Sequence, residues 1–315
     1  MDFVIEWRIM RQSEYGSRRH NKRKVDKHLF RALVQFWNPA YSCFTFRRVD
    51  LVPTVEEYMA LLRCLKIQVD KAYSKATNVT AFVKNLVNIT RMSEQWVASR
   101  IKQKGDSKCI PWKNLRDLIL AHPDMKERVD IFALGIYGLV VFPKALGHVD
   151  EAISDLFDRL DKRVTPILAI LEETFRSLNA CRKAAEGRFI GCAQLLLTWF
   201  HSHFWKVEKM ILNEILYHCG DFDWVPLLRV WGAVGYAPLL VLRQYRLKQF
   251  VPATQGLAQC EFSYKDDNYR KKFCEMSNAW KQTRRMKGFT MGLMMTPEYD
   301  RWWGKRINDN ILMPS

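Results

Sequence analysis

A chain of 315 residues with 48% hydrophobic and 13% aromatic side chains has enough apolar surface to bury a large core, which excludes an intrinsically disordered protein. Its net charge of +17 is uneven: residues 1–50 hold 11 basic and 5 acidic side chains, residues 241–315 hold 14 and 7, and the 190 residues between hold 25 and 21. Basic ends favour polyanionic partners, nucleic acid or an anionic membrane face, but say nothing of fold.

Residues 1–24 read as a basic N-terminal arm containing Arg18, Arg19, Lys22, Arg23 and Lys24, and Met1–Met10 mixes Asp2, Glu6 and Arg8 into its apolar residues, unlike a signal peptide. Val25, Leu29, Leu33 and Phe36 recur at helical spacing until Asn38-Pro39. Cys43 to Phe46 alternates and is the best strand in the chain. Thr54 and Glu57 match a capping box, Ser93 can cap a helix containing Trp96, and Pro111 can open one that stops before Pro123. Val129–Pro143 reads as a buried core helix, with Gly135 and Gly138 on one side where another helix can approach closely. Its twelve uncharged residues, Ile131 to Phe142, fall short of the roughly 20 a bilayer needs, so no membrane is expected.

Val149–Val164 is amphipathic, with Ile153, Leu156, Phe157 and Leu160 opposite a solvated acidic face. Thr165-Pro166 opens a long helix ending near Gly187. Phe189–Trp205 and Trp224–Phe250 are apolar segments expected to pack around Val129–Pro143. Tyr269, Phe273, Met276 and Trp280 form one stripe of a long helix ending near Gly288, and Thr296-Pro297 opens a short one. The expected fold is all-α: a compact multi-helix domain with at most a short strand pair near residues 43–49.

Chemistry is sparse. There is no phosphate loop, and no two of the eight cysteines lie closer than eleven residues, which excludes a paired-cysteine zinc knuckle and, without a secretory signal, fits a reducing compartment, nucleus or cytoplasm. His201, His203 and Cys192 cannot share one ion on a helix, and His218-Cys219 are neighbours only in sequence. Asp150, Glu151, Asp155, Asp158 and Asp161 read as a solvated face, because Asp155 precedes Arg159 by four and Asp158 precedes Lys162 by four. No catalytic residue, metal ligand or cofactor is assigned. The contact residues are Arg18, Arg19, Lys22, Arg23 and Lys24 in the arm, where a loose solvated tail is an equal reading, and Arg270, Lys271, Arg284 and Arg285 near the C-terminus, where aromatics alternate with cations.

Several strings carry a resemblance. Phe36-Trp37-Asn38-Pro39, Cys43-Phe44-Thr45-Phe46, Pro53-Thr54-Val55-Glu56-Glu57-Tyr58, Ile136 to Pro143, and Gly191 to Phe200, in this order, resemble a plant domain of unknown function (number 7745) related to the plant mobile domain. The resemblance covers residues 25–311 as one helical domain, with a family segment missing between about 208 and 213 and an N-terminal region unlike the longer one usual in relatives. It implies a non-enzymatic, transposon-derived plant protein working through protein partners, with nucleic acid as a further partner in the nucleus. The "aminotransferase-like" label that travels with the family has no support in the residues, since no segment supplies a pyridoxal phosphate cup. The alternatives are a nuclease- or integrase-like enzyme of a mobile element, disfavoured by the expected scarcity of strands, and an inactive shortened remnant.

Overall fold

The structure, a computed structural model, describes residues 27–47, 49–62, 81–160, 165–183, 189–204, 214–228, 230–245, 247–264, 268–287 and 295–306. The N-terminal part runs α1 (Lys27–Gln35), β1 (Trp37–Asn38), β2 (Cys43–Phe46), β3 (Val49–Leu51), α2 (Val55–Leu61), α3 (Phe82–Thr90) and α4 (Glu94–Ala98). The middle runs β4 (Lys102–Lys104), β5 (Ser107–Pro111), α5 (Trp112–Ala121), α6 (Met125–Ile136), β6 (His148–Asp150), α7 (Glu151–Leu160), α8 (Ile167–Lys183) and α9 (Ala193–Phe204). The remainder comprises β7 (Glu214–Cys219), β8 (Val225–Leu228), β9 (Gly232–Tyr236), β10 (Phe262–Ser263), α10 (Tyr269–Ala279), β11 (Thr283–Lys287) and α11 (Pro297–Lys305).

The all-α expectation is wrong. Among the described residues there are 11 strands in four small antiparallel sheets, β1-β2-β3, β4-β5-β6, β10-β9-β8 and β11-β7, so the fold is mixed α and β. The segment Trp224–Phe250, expected as an apolar core segment of an all-α fold, is the hairpin β8-β9 followed by a 3-10 stretch, Pro238–Tyr245. Every residue of β8 and β9 is buried, so the alternation that marks a half-buried strand is absent and the run looks like a core helix. Gly235 marks close approach, because a Cβ there would meet the Leu257 carbonyl oxygen at 2.6 Å.

The local signals did form as expected. Thr54 accepts the Glu57 amide at 3.2 Å while Glu57 Oε2 accepts the Thr54 amide at 2.9 Å, completing the capping box of α2. Ser93 caps α4, and Thr296 caps α11 with Pro297 in its first turn. The core helix exists as α6 plus a π-helical turn, Tyr137–Val141. A Cβ on Gly135 would run into the Trp112 ring at the start of α5, so one glycine does serve a helix contact; one on Gly138 would meet Val149 of β6. The deepest helix, however, is α8, buried from Ile167 through Phe175, with Glu172 and Glu173 included. It packs against α1, α2, β1, β8 and β9 and draws the N-terminal and C-terminal parts together.

Candidate contact surface

The four cations expected near the C-terminus lie on α10 and β11. None of the residues Tyr269–Ala279 is fully buried, so α10 lies on the surface, with Tyr269, Phe273 and Met276 packed inward and Trp280 buried beyond its end. Its wet side carries Arg270, Lys271 and Lys272, and Arg270 leans over the Tyr269 ring at 5.9 Å. The helix does not reach Gly288. A short 3-10 turn, Trp280–Gln282, leads into β11, which pairs with β7 in the register Arg284↔His218 and Arg285↔Leu216, with a shift between the two arginines.

Adjacent strand residues face opposite ways. Arg284 is therefore exposed, while Arg285 is half-buried and its charge acts on the Glu56 carboxylate. Arg270, Lys271 and Arg284 are exposed, and Arg285 is half-buried. Arg18, Arg19, Lys22, Arg23 and Lys24 lie outside the described residues.

Glu56 is a residue that sequence reasoning missed. Its Oε1 accepts the Leu216 amide at 3.0 Å, and burial pushes the carboxyl up to about 7 against the opposing pull of that amide and of Arg285. The only local signal was an acid in the first turn of a capped helix. Equally missed were Phe222, Phe250 and Val251, apolar side chains 41%, 38% and 40% exposed. No periodicity could separate them from the core residues beside them.

The sets weighed for metal or nucleophilic chemistry are dispersed into structural roles. His203 Nε2 sits 3.4 Å from Glu57 Oε1, Cys192 is buried near Gln194, and His218 Nδ1 faces Asp223 Oδ1 at 3.4 Å. Cys219 donates its S–H to the Ala279 carbonyl at 3.0 Å, and burial pushes its thiol up to about 11, the opposite of an activated thiolate. The acidic helix is corrected in one respect: Asp155 does pair with Arg159, at 2.9 Å, but Asp150, Glu151 and Asp155 are buried rather than solvated. Asp150 belongs to β6, where it caps α7 through the Ala152 amide and meets Lys144 Nζ at 3.3 Å. Four sheets also remove the scarcity of strands as a ground for setting aside a metal-dependent nuclease. Among the described residues, no group of three or more His, Cys, Asp or Glu is placed to hold a metal ion.

The family model "Domain of unknown function (DUF7745)" matches residues 19–214 and 202–308. The chain belongs to this family. The two matched stretches of the DUF7745 domain overlap at 202–214, between α9 and β7, and together they include the described contact residues on α10 and β11. No curated protein and no solved structure matches this DUF7745 chain. Among its described residues, no helix is long and apolar enough to cross a membrane.

Proposed function

We propose that this DUF7745 protein is a non-enzymatic binding domain of plant mobile-domain type, derived from a transposon and acting in the nucleus, which engages an anionic macromolecular partner through α10 and β11. The order of residue strings from Phe36 to Phe200 supports the kinship with the plant mobile domain. The observation that carries the binding reading is the exposure of Arg270, Lys271 and Arg284 along one surface segment whose aromatic side is turned inward. With Tyr269 and Phe273 packed against the core, the cations rather than the aromatics meet solvent. The contact is then dominated by charge and should weaken steeply with salt.

The test is a salt titration of binding between the purified protein and labelled duplex DNA, single-stranded RNA and poly-glutamate, repeated with Arg270, Lys271 and Arg284 changed together to alanine. Binding of at least one probe that falls with salt and drops in the triple variant supports the reading. A folded protein that binds none of the three at low salt overturns it.

A further inference from the structure

We propose that the loop Cys219–Asp223 and the segment 248–253 form a docking surface for an acidic, amphipathic segment of a protein partner, with Phe222, Phe250 and Val251 as its apolar floor and Lys248, Lys281 and Arg284 as its charged rim. This rests on the anion-binding reading above and names the class of partner.

The surface is assembled by hydrogen bonds between segments distant in sequence. The Asp223 amide donates to the Ala253 carbonyl at 3.2 Å, and the Ala253 amide returns to Asp223 Oδ2 at 2.9 Å, which sets Phe222 beside the chain carrying Phe250 and Val251. On the other side, the Gly220 amide reaches the Gln282 carbonyl at 3.5 Å and the Cys219 S–H reaches that of Ala279, tying the loop to the end of α10 and the start of β11. Arg284 lies opposite His218 in the ladder, and His218 Nδ1 is 3.4 Å from Asp223 Oδ1. Exposed Lys248 precedes Phe250 by two residues, exposed Lys281 adjoins Gln282, and exposed Arg284 pairs with His218, so the backbone brings three cations to the segments that carry the exposed apolar residues, with Asp221 as an opposing exposed acid in the loop.

Charge complementarity selects the occupant. Phosphates would satisfy the rim and leave the apolar floor unmatched, whereas acidic side chains interspersed with Leu or Phe match both. In such an interface the rim sets the rate of approach and its salt dependence, and the apolar anchors hold the complex together. A second exposed apolar pair, Leu120 and Met125 at 71% and 66%, shows the contrast. Its exposed neighbours Arg116, Asp117, Asp124 and Lys126 balance in charge, so nothing there selects a partner.

The experiment is fluorescence anisotropy of the full chain with three labelled probes of matched length: a peptide alternating Asp and Glu with Leu and Phe, a peptide of equal charge with Ser and Gly in the apolar places, and duplex DNA. The amphipathic peptide should bind tightest. Phe222→Ser with Phe250→Ser should weaken it by about tenfold or more while leaving the charge-only peptide unchanged, and Leu120→Ser should change nothing. Val251→Ser should act in the same direction if the double variant melts early. Equal affinity for the two peptides, tighter binding of DNA, or indifference to the apolar substitutions overturns the docking surface while leaving anion binding intact. Failure of all three probes, and of single-stranded RNA, at low salt overturns both.

Discussion

The indole N–H of Trp199 donates to Glu57 Oε2 at 2.9 Å, the same oxygen that accepts the Thr54 amide in the capping box. This bond joins residues 142 apart, from two of the strings that carry the family resemblance. Trp199→Phe would keep one six-membered ring but remove the pyrrole part of a fully buried indole together with one donor to a buried carboxylate, and should lower stability by about 2 kcal/mol or more. Urea denaturation checks it, and an unchanged midpoint would show that the bond contributes nothing.

Gly135 faces the Trp112 ring with no room for a Cβ. Gly135→Ala should therefore destabilise by about 1–3 kcal/mol through overpacking, although alanine favours a helix elsewhere. Gly304→Ala on α11, where a Cβ meets nothing within 4 Å, should be neutral or stabilising by comparison. Thermal melts of the two variants should move in different directions.

Arg306 Nη2 meets Asp50 Oδ1 at 2.6 Å with side-chain exposures of 3% and 1%, and its guanidinium lies over the rings of Tyr41, Trp302 and Trp303 at 4.8, 5.5 and 5.0 Å. Trp303 also donates to Asp50, so the pair clasps α11 onto the sheet β1-β2-β3. Arg306→Met alone should cost about 3–5 kcal/mol, because it strands a buried charge, and adding Asp50→Asn should recover much of the loss. Equal losses in the single and double variants would sink the coupling.

Glu56 should make stability fall as pH rises. Its folded carboxyl titrates near 7 against an ordinary value of 4.5. Below pH 4.5 it is protonated in both the folded and unfolded states, and between 4.5 and 7 the unfolded chain releases the proton first, so folding is progressively penalised. The groups facing it are the Leu216 amide, Arg285 from β11, Glu57 on its own helix and Tyr236 from β9. Relative to Glu56→Gln, the wild type should lose about 3 kcal/mol across that window. Parallel stability profiles of the two proteins from pH 4.5 to 7 would refute the assignment.

The residues that were legible in the sequence acted within three or four positions of one another. Thr54 with Glu57, Ser93 with Trp96, Thr296 with Tyr299, and Asp155 with Arg159 each form a contact that the order of residues already contains. The hairpin β8-β9 was illegible because burial on both faces erases alternation, and β11 because its pairing partner β7 lies some 65 residues earlier and its mostly cationic residues carry no alternation of their own. For the contact surface, the presence of cations was readable but their direction was not. Arg284 and Arg285 part company only because a strand replaces the helix.

Composition and local spacing settled that the chain folds around an apolar core, where its capped helices begin, and that its C-terminal segment is cationic, since these properties follow from side chains and near neighbours alone. Tertiary structure alone decided the mixed fold, the descent of α8 with its two glutamates into the core, the lifting of the Glu56 carboxyl by burial against the pull of the Leu216 amide and Arg285, and the tethering of the Phe222 loop to the segment that carries Phe250. Each of these depends on segments distant in sequence displacing water around one another, and the chain's order does not state which segments will meet.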